Sequence, residues 1–130
     1  MTVAIWCLLL FLIVSYGVRW WSIKGAIAQD GSYDNSLPRQ QQARLTGLGA
    51  RAQAAHQNSL EAFAPFAAAV ILAQSFSSLD VWRDGLAIAF VALRLLYVLA
   101  YLRDWGNGRS MIWAAAFIVN LALFLLPAFG

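Results

Sequence analysis

The groups able to do chemistry lie in two apolar runs. In "RAQAAHQNSLEAF", Arg51, His56, Asn58 and Glu61 precede "APFAAAVILA"; in "LRLLYVLAYLRDW", Arg94, Tyr97, Tyr101 and Asp104 recur at spacings of three, four and three. Guanidinium, carboxylate, amide and phenol groups set into greasy helices either hold a polar ligand or hold one another. At about 100° per residue, positions seven apart nearly superpose, so Arg44, Arg51 and Asn58 form one stripe with Glu61 a turn beyond. His56 points nearly the opposite way. Ala55, Ala62 and Ala69 fill the stripe between and above these groups, and small residues at that spacing allow close helix contact in a membrane. Arg94 lies several residues inside its run, where an arginine costs about 2.5–3.5 kcal/mol unless partnered or snorkelling. Glu61 is the only acid at comparable depth. We therefore expect Arg94 and Glu61 to approach one another, directly or through Asn58, between helices of the same or neighbouring chains. Plain interhelical bonding is the competing reading of both stripes, with Tyr97 and Tyr101 as ordinary anchors; it is the favoured one for Asn120, while a solvated side chain is expected for His56.

The elements that position these groups are membrane helices. Of 130 residues, 62% are hydrophobic and 12% charged, against about 25% charged in an ordinary soluble domain. Four stretches, approximately 3–21, 58–78, 81–102 and 111–129, meet or approach the roughly 20 apolar residues that a bilayer core requires. We expect one all-α domain over residues 1–130. The second helix should begin near Gln40, run to Ser78 and kink at Pro65, where a backbone hydrogen bond is lost. The net charge of +3 is spread over loops and helix ends, without the basic tract that nucleic-acid binding needs. One Cys and one His, Cys7 and His56, supply neither a disulfide nor a metal site.

Basic residues set the orientation. Arg19, Lys24, Arg39, Arg44 and Arg51 cluster after the first span and Arg103 and Arg109 after the third, whereas Arg83 is flanked by Asp80 and Asp84. Both basic connections are expected on the cytoplasmic side, with the termini opposite and Trp20, Trp21, Trp82 and Trp105 as interfacial anchors.

Four spans in this length, a second-helix pattern R…H-x-N-x-x-E-x-F (Arg51, His56, Asn58, Glu61, Phe63) and a third-helix pattern R-x-x-Y-x-x-x-Y-x-R (Arg94, Tyr97, Tyr101, Arg103) closely resemble the MAPEG family, the membrane-associated proteins in eicosanoid and glutathione metabolism. The resemblance covers nearly the whole chain. It implies an up-down four-helix protomer in a homotrimer, with glutathione as co-substrate held between subunits near the cytoplasmic side. Two carboxylates and an ammonium on that peptide call for guanidinium, acid and neutral hydrogen-bonding partners. Arg51, Asn58, Glu61, Arg94, Tyr97 and Tyr101 are the implied glutathione-binding residues, with Asn58 and Glu61 at its amino end and the arginines at its carboxylates.

The resemblance also implies a thiolate-stabilising arginine at the start of helix four. Arg109, in "DWGNGRSMIW", occupies that place; the two glycines allow the tight turn that returns it over the pocket, and a simple positive-inside flank is the equal alternative. The implied activity is that of a glutathione transferase or peroxidase acting on a lipophilic electrophile that arrives through the bilayer. The first connection, with "YDNSLPR", looks like a bacterial branch, which implies a bacterial inner membrane with periplasmic termini. Catalytic relatives carry an arginine four residues before the motif asparagine, where this chain has Ala54. That difference motivates the alternative: a non-catalytic module that binds lipid or serves as an accessory subunit of a larger membrane complex. A small transporter is disfavoured, since no discontinuous helix pair is apparent.

Overall fold

The computed structural model describes all residues, 1–130. The helices are α1 (Val3–Gly17), α2 (Arg19–Asp30), α3 (Pro38–Ala43), α4 (Gly47–Phe76), α5 (Asp80–Leu102) and α6 (Gly106–Leu125), followed by a 3-10 turn at Leu126–Ala128. Four helical stretches are long and apolar enough to cross a membrane: Val3–Asp30, Gly47–Phe76, Asp80–Leu102 and Gly106–Ala128. Their outer faces expose Ile13, Ile71, Ile88 and Ile118, as suits a surface solvated by lipid. At about 1.5 Å per residue α4 is about 45 Å long, more than a hydrocarbon core of about 30 Å. It is therefore long enough to extend beyond the apolar layer or to cross it tilted.

The bundle closes around Phe11, Phe66 and Phe90, one from each of α1, α4 and α5. Phe66 and Phe90 stack at 4.0 Å between ring centroids, and Phe11 meets Phe90 edge-on at 5.5 Å. Ala55 and Ala69 of the small-residue stripe are fully buried. At the end where the chain starts and stops, buried Arg83 pairs with both Asp80 and Asp84. Asp84 in turn accepts the Ala4 N–H at 3.3 Å, fixing α1 to the start of α5.

The helices depart from the expected ones at two places, and the second has a local cause. The first helix continues to Asp30 after a break at Val18, and the helix expected from Gln40 is instead interrupted after Ala43. Gln29 clamps that interruption. Its amide donates to the Arg44 carbonyl at 2.9 Å, while its side-chain oxygen accepts from the Thr46 N–H and hydroxyl at 3.1 and 3.2 Å. Thr46 is extended and Gly47 has φ 57°, a left-handed value that glycine adopts without penalty. From there α4 continues through Pro65 without ending.

Gly25 and Gly49 bring α2 and α4 together. A Cβ on Gly25 would lie 2.6 Å from the Gly49 Cα, a backbone atom that cannot swing aside. Gly25→Ala is expected to cost about 1–3 kcal/mol, the usual penalty of overpacking, read as a lower melting temperature in detergent. Gly17→Ala, where nothing stands within 4 Å, should leave melting unchanged or raise it.

Candidate functional site

The α4 stripe faces α5 within one chain. Arg94 donates through Nη2 to the Asn58 side-chain oxygen at 2.8 Å, and Arg51 donates through Nε to the Leu102 carbonyl at 3.2 Å. Helix periodicity accounts for both contacts. Asn58 and Arg51 lie seven residues apart on α4, and Arg94 and Leu102 are eight apart on antiparallel α5, so each pair comes round to the same side. Arg51 thereby satisfies a carbonyl at the end of α5, one of the last four that a helix leaves free.

Arg94 is 1% exposed and is held chiefly by rings. Its guanidinium carbon lies 4.3 Å from the Tyr97 ring centre and 5.7 Å from that of Phe11. Tyr97 meets Tyr101 edge-on at 5.7 Å, and the Arg109 guanidinium sits 4.1 Å over Tyr101. Arg94, Tyr97, Tyr101 and Arg109 thus form a column in which cations end on ring faces, contacts of about 0.5–2 kcal/mol each. The positive end groups sit at different depths along α5.

The turn carrying Arg109 is not built as expected. Gly106 and Gly108 fall within the first turn of α6, and the left-handed residue is Asp104, with φ 59°. Gly108 makes room for Trp105 instead: a Cβ there would fall 2.2 Å from the indole. The connection still returns Arg109 to the α5 column.

A cavity of about 200 Å³ opens among α4, α5 and α6. Asn58, Glu61, Arg94 and Asn120 provide its polar lining, and Pro65, Phe90, Trp113 and Phe117 much of its apolar wall. Glu61 is exposed and forms no ion pair; Arg94 reaches it only in the sense that both border the same space. Arg51, Tyr97, Tyr101 and Arg109 do not line the cavity. Two polar atoms in this region are buried without any partner, Arg94 Nε and Asn120 Oδ1. An unpaired buried polar atom costs about 1–3 kcal/mol, so each is a local strain on the bundle.

His56 and Asn120 need correction. His56 is 2% exposed, not solvated. Its Nδ1–H donates to the Ser15 carbonyl at 2.6 Å, three residues before the break between α1 and α2, where the helical ladder is interrupted. Its ring also meets Tyr16 edge-on at 5.5 Å, and the imidazole is an interior strut. Asn120 makes no hydrogen bond across the bundle and faces the cavity instead. Its polarity within an apolar helix is the only sign of this in the sequence; the facing cavity is set by three helices at once.

The sequence profile of the MAPEG family matches residues 3–129. The chain belongs to the MAPEG family. Comparisons with the curated proteins and with solved structures each return no match. With its four membrane-length helices, this MAPEG chain is a multi-pass integral membrane protein. MAPEG membership links it to glutathione-related chemistry and is compatible with either a catalytic or a lipid-binding role.

Proposed function

We propose that the chain is a membrane glutathione transferase or peroxidase that acts on lipophilic electrophiles. The observation that carries this reading is the Asn58–Arg94 pair beside Glu61 on one cavity, with a buried Arg94 Nε–H left over. The donor set suits glutathione. Arg94 offers a guanidinium to a carboxylate, Glu61 an acid to the ammonium, and Asn58 an amide to either neighbour of that ammonium. A single protomer's cavity of about 200 Å³ falls below the about 300–1,000 Å³ of ordinary small-molecule sites, which supports a site completed by a second copy in a homotrimer.

Arg109 has the task of favouring the thiolate. A free thiol has a pKa of about 8.5, and an adjacent guanidinium lowers it by stabilising the anion. The Tyr101 ring braces Arg109, so the cation is positioned before the thiol arrives. In conjugation the thiolate sulfur forms a C–S bond to the electrophilic carbon as the leaving group departs with its electron pair. With a hydroperoxide, two glutathione thiols give one disulfide, the alcohol and water. The bacterial inner membrane, with both termini periplasmic, is the setting we propose.

A second reading has its own observation. Arg51, the nearest guanidinium on α4, is committed to the Leu102 carbonyl, and Ala54 offers none, as would suit a lipid-binding or accessory subunit. The purified protein with glutathione and 1-chloro-2,4-dinitrobenzene separates the two: conjugate formation is expected. No conjugate from a protein that co-purifies with lipid or other membrane proteins would favour the second.

A further inference from the structure

Lys24 has no task in glutathione binding or thiolate formation. It lies on α2, away from the cavity among α4, α5 and α6, and forms no ion pair. Its ammonium rests instead against two indoles, 5.2 Å from the Trp21 ring centre and 5.8 Å from that of Trp20. Trp20 and Trp21 precede Lys24 by four and three residues, so the three side chains share one helix face. All three are exposed. At 1.5 Å per residue, about 31 Å of helix separates Lys24 from Val3, which brings the ammonium within snorkelling reach of the headgroup layer.

That face forms one wall of a groove of about 520 Å³ between α2 and the start of α4, within the about 300–1,000 Å³ of ordinary small-molecule sites. Its floor is the close approach of Gly25 and Gly49, which carry no side chain to fill it. Trp21, Lys24 and Ala28 line it from α2 and Leu48 from α4. Charge selects the occupant. At this end of the bundle Lys24 and the arginines outnumber Asp30, Asp34 and Asp104, whereas at the other end Arg83 is more than offset by Asp80 and Asp84. We propose that this groove binds an anionic phospholipid. The phosphate is held by the Lys24 ammonium, while the glycerol and first acyl carbons pack on Trp21 and Leu48. A zwitterionic lipid brings a cation of its own into the same positive field and is disfavoured. The groove shares no lining residue with the cavity assigned to glutathione, so the inference does not depend on that function.

The test incubates the detergent-purified full chain with equimolar dioleoylphosphatidylglycerol and dioleoylphosphatidylcholine, whose acyl chains are identical, and counts the bound lipid of each kind by native mass spectrometry. The wild type is expected to prefer phosphatidylglycerol by about fivefold, the scale of one basic side chain meeting an anionic headgroup. Lys24→Gln should bring that ratio close to one. Ala28→Phe, which fills the groove from an exposed position and leaves every charge in place, should do the same. Arg39→Gln removes an exposed charge at the same end but outside the groove and should leave the ratio at its wild-type value. A ratio near one in the wild type, or an equal fall in Arg39→Gln, overturns the proposal. So does a change in the number of chains per particle in Ala28→Phe, which would make the groove a contact between copies.

Discussion

Arg94→Leu should weaken glutathione binding by one to two orders of magnitude, about 10- to 150-fold, while leaving the fold nearly as stable as before. The substitution removes a guanidinium that costs about 2.5–3.5 kcal/mol to hold at membrane depth. It also forfeits the 2.8 Å bond to Asn58 and the ring contacts with Tyr97 and Phe11, together worth a similar amount. The net change in stability is expected within about 1–2 kcal/mol. Ligand binding has no such offset. A charge-assisted hydrogen bond contributes about 1.5–3 kcal/mol, so glutathione affinity should fall by about 10- to 150-fold, read by calorimetry on detergent-solubilised protein. If Arg94 served only to join α4 and α5, the reverse would be found: a lowered melting temperature with affinity unchanged.

Arg109→Ala should lower kcat for conjugation by about 10²- to 10³-fold, the loss that follows removal of one preorganised charge-stabilising donor. The fall belongs in kcat, because Arg109 is assigned to the sulfur and lies off the Asn58–Arg94 cavity. KM for glutathione should change by less than about threefold. Arg109→Lys keeps a point charge but loses the planar stack on Tyr101 and is expected to recover part of the rate. A large rise in KM at constant kcat would instead assign Arg109 to holding a carboxylate.

The face of α4 that meets α5 was legible because helical periodicity is a local property. Spacings of seven and three placed Arg51, Asn58 and Glu61 together, and the same rule placed Arg94, Tyr97 and Tyr101 in a column. Periodicity does not say what stands opposite. His56 is buried because a carbonyl 41 residues earlier lies beside it, and the break before α4 exists because Gln29, 17 residues before Thr46, captures its backbone. Such side-chain-to-backbone captures leave no repeat in the sequence. The turn before α6 was misplaced for a related reason: glycine signals conformational freedom, yet Gly108 is there to admit the Trp105 ring and Asp104 carries the left-handed backbone. Asn120 likewise gained a different meaning from the cavity beside it.

Whether this chain binds glutathione and holds it as the thiolate beside Arg109 is read by ultraviolet difference absorption. Glutathione titrated into the detergent-purified protein near neutral pH should produce a saturable thiolate band, and the same titration of Arg109→Ala should produce none. The absence of a band from the wild type at saturating glutathione, or a band of equal size in Arg109→Ala, would mean that Arg109 does not hold a thiolate.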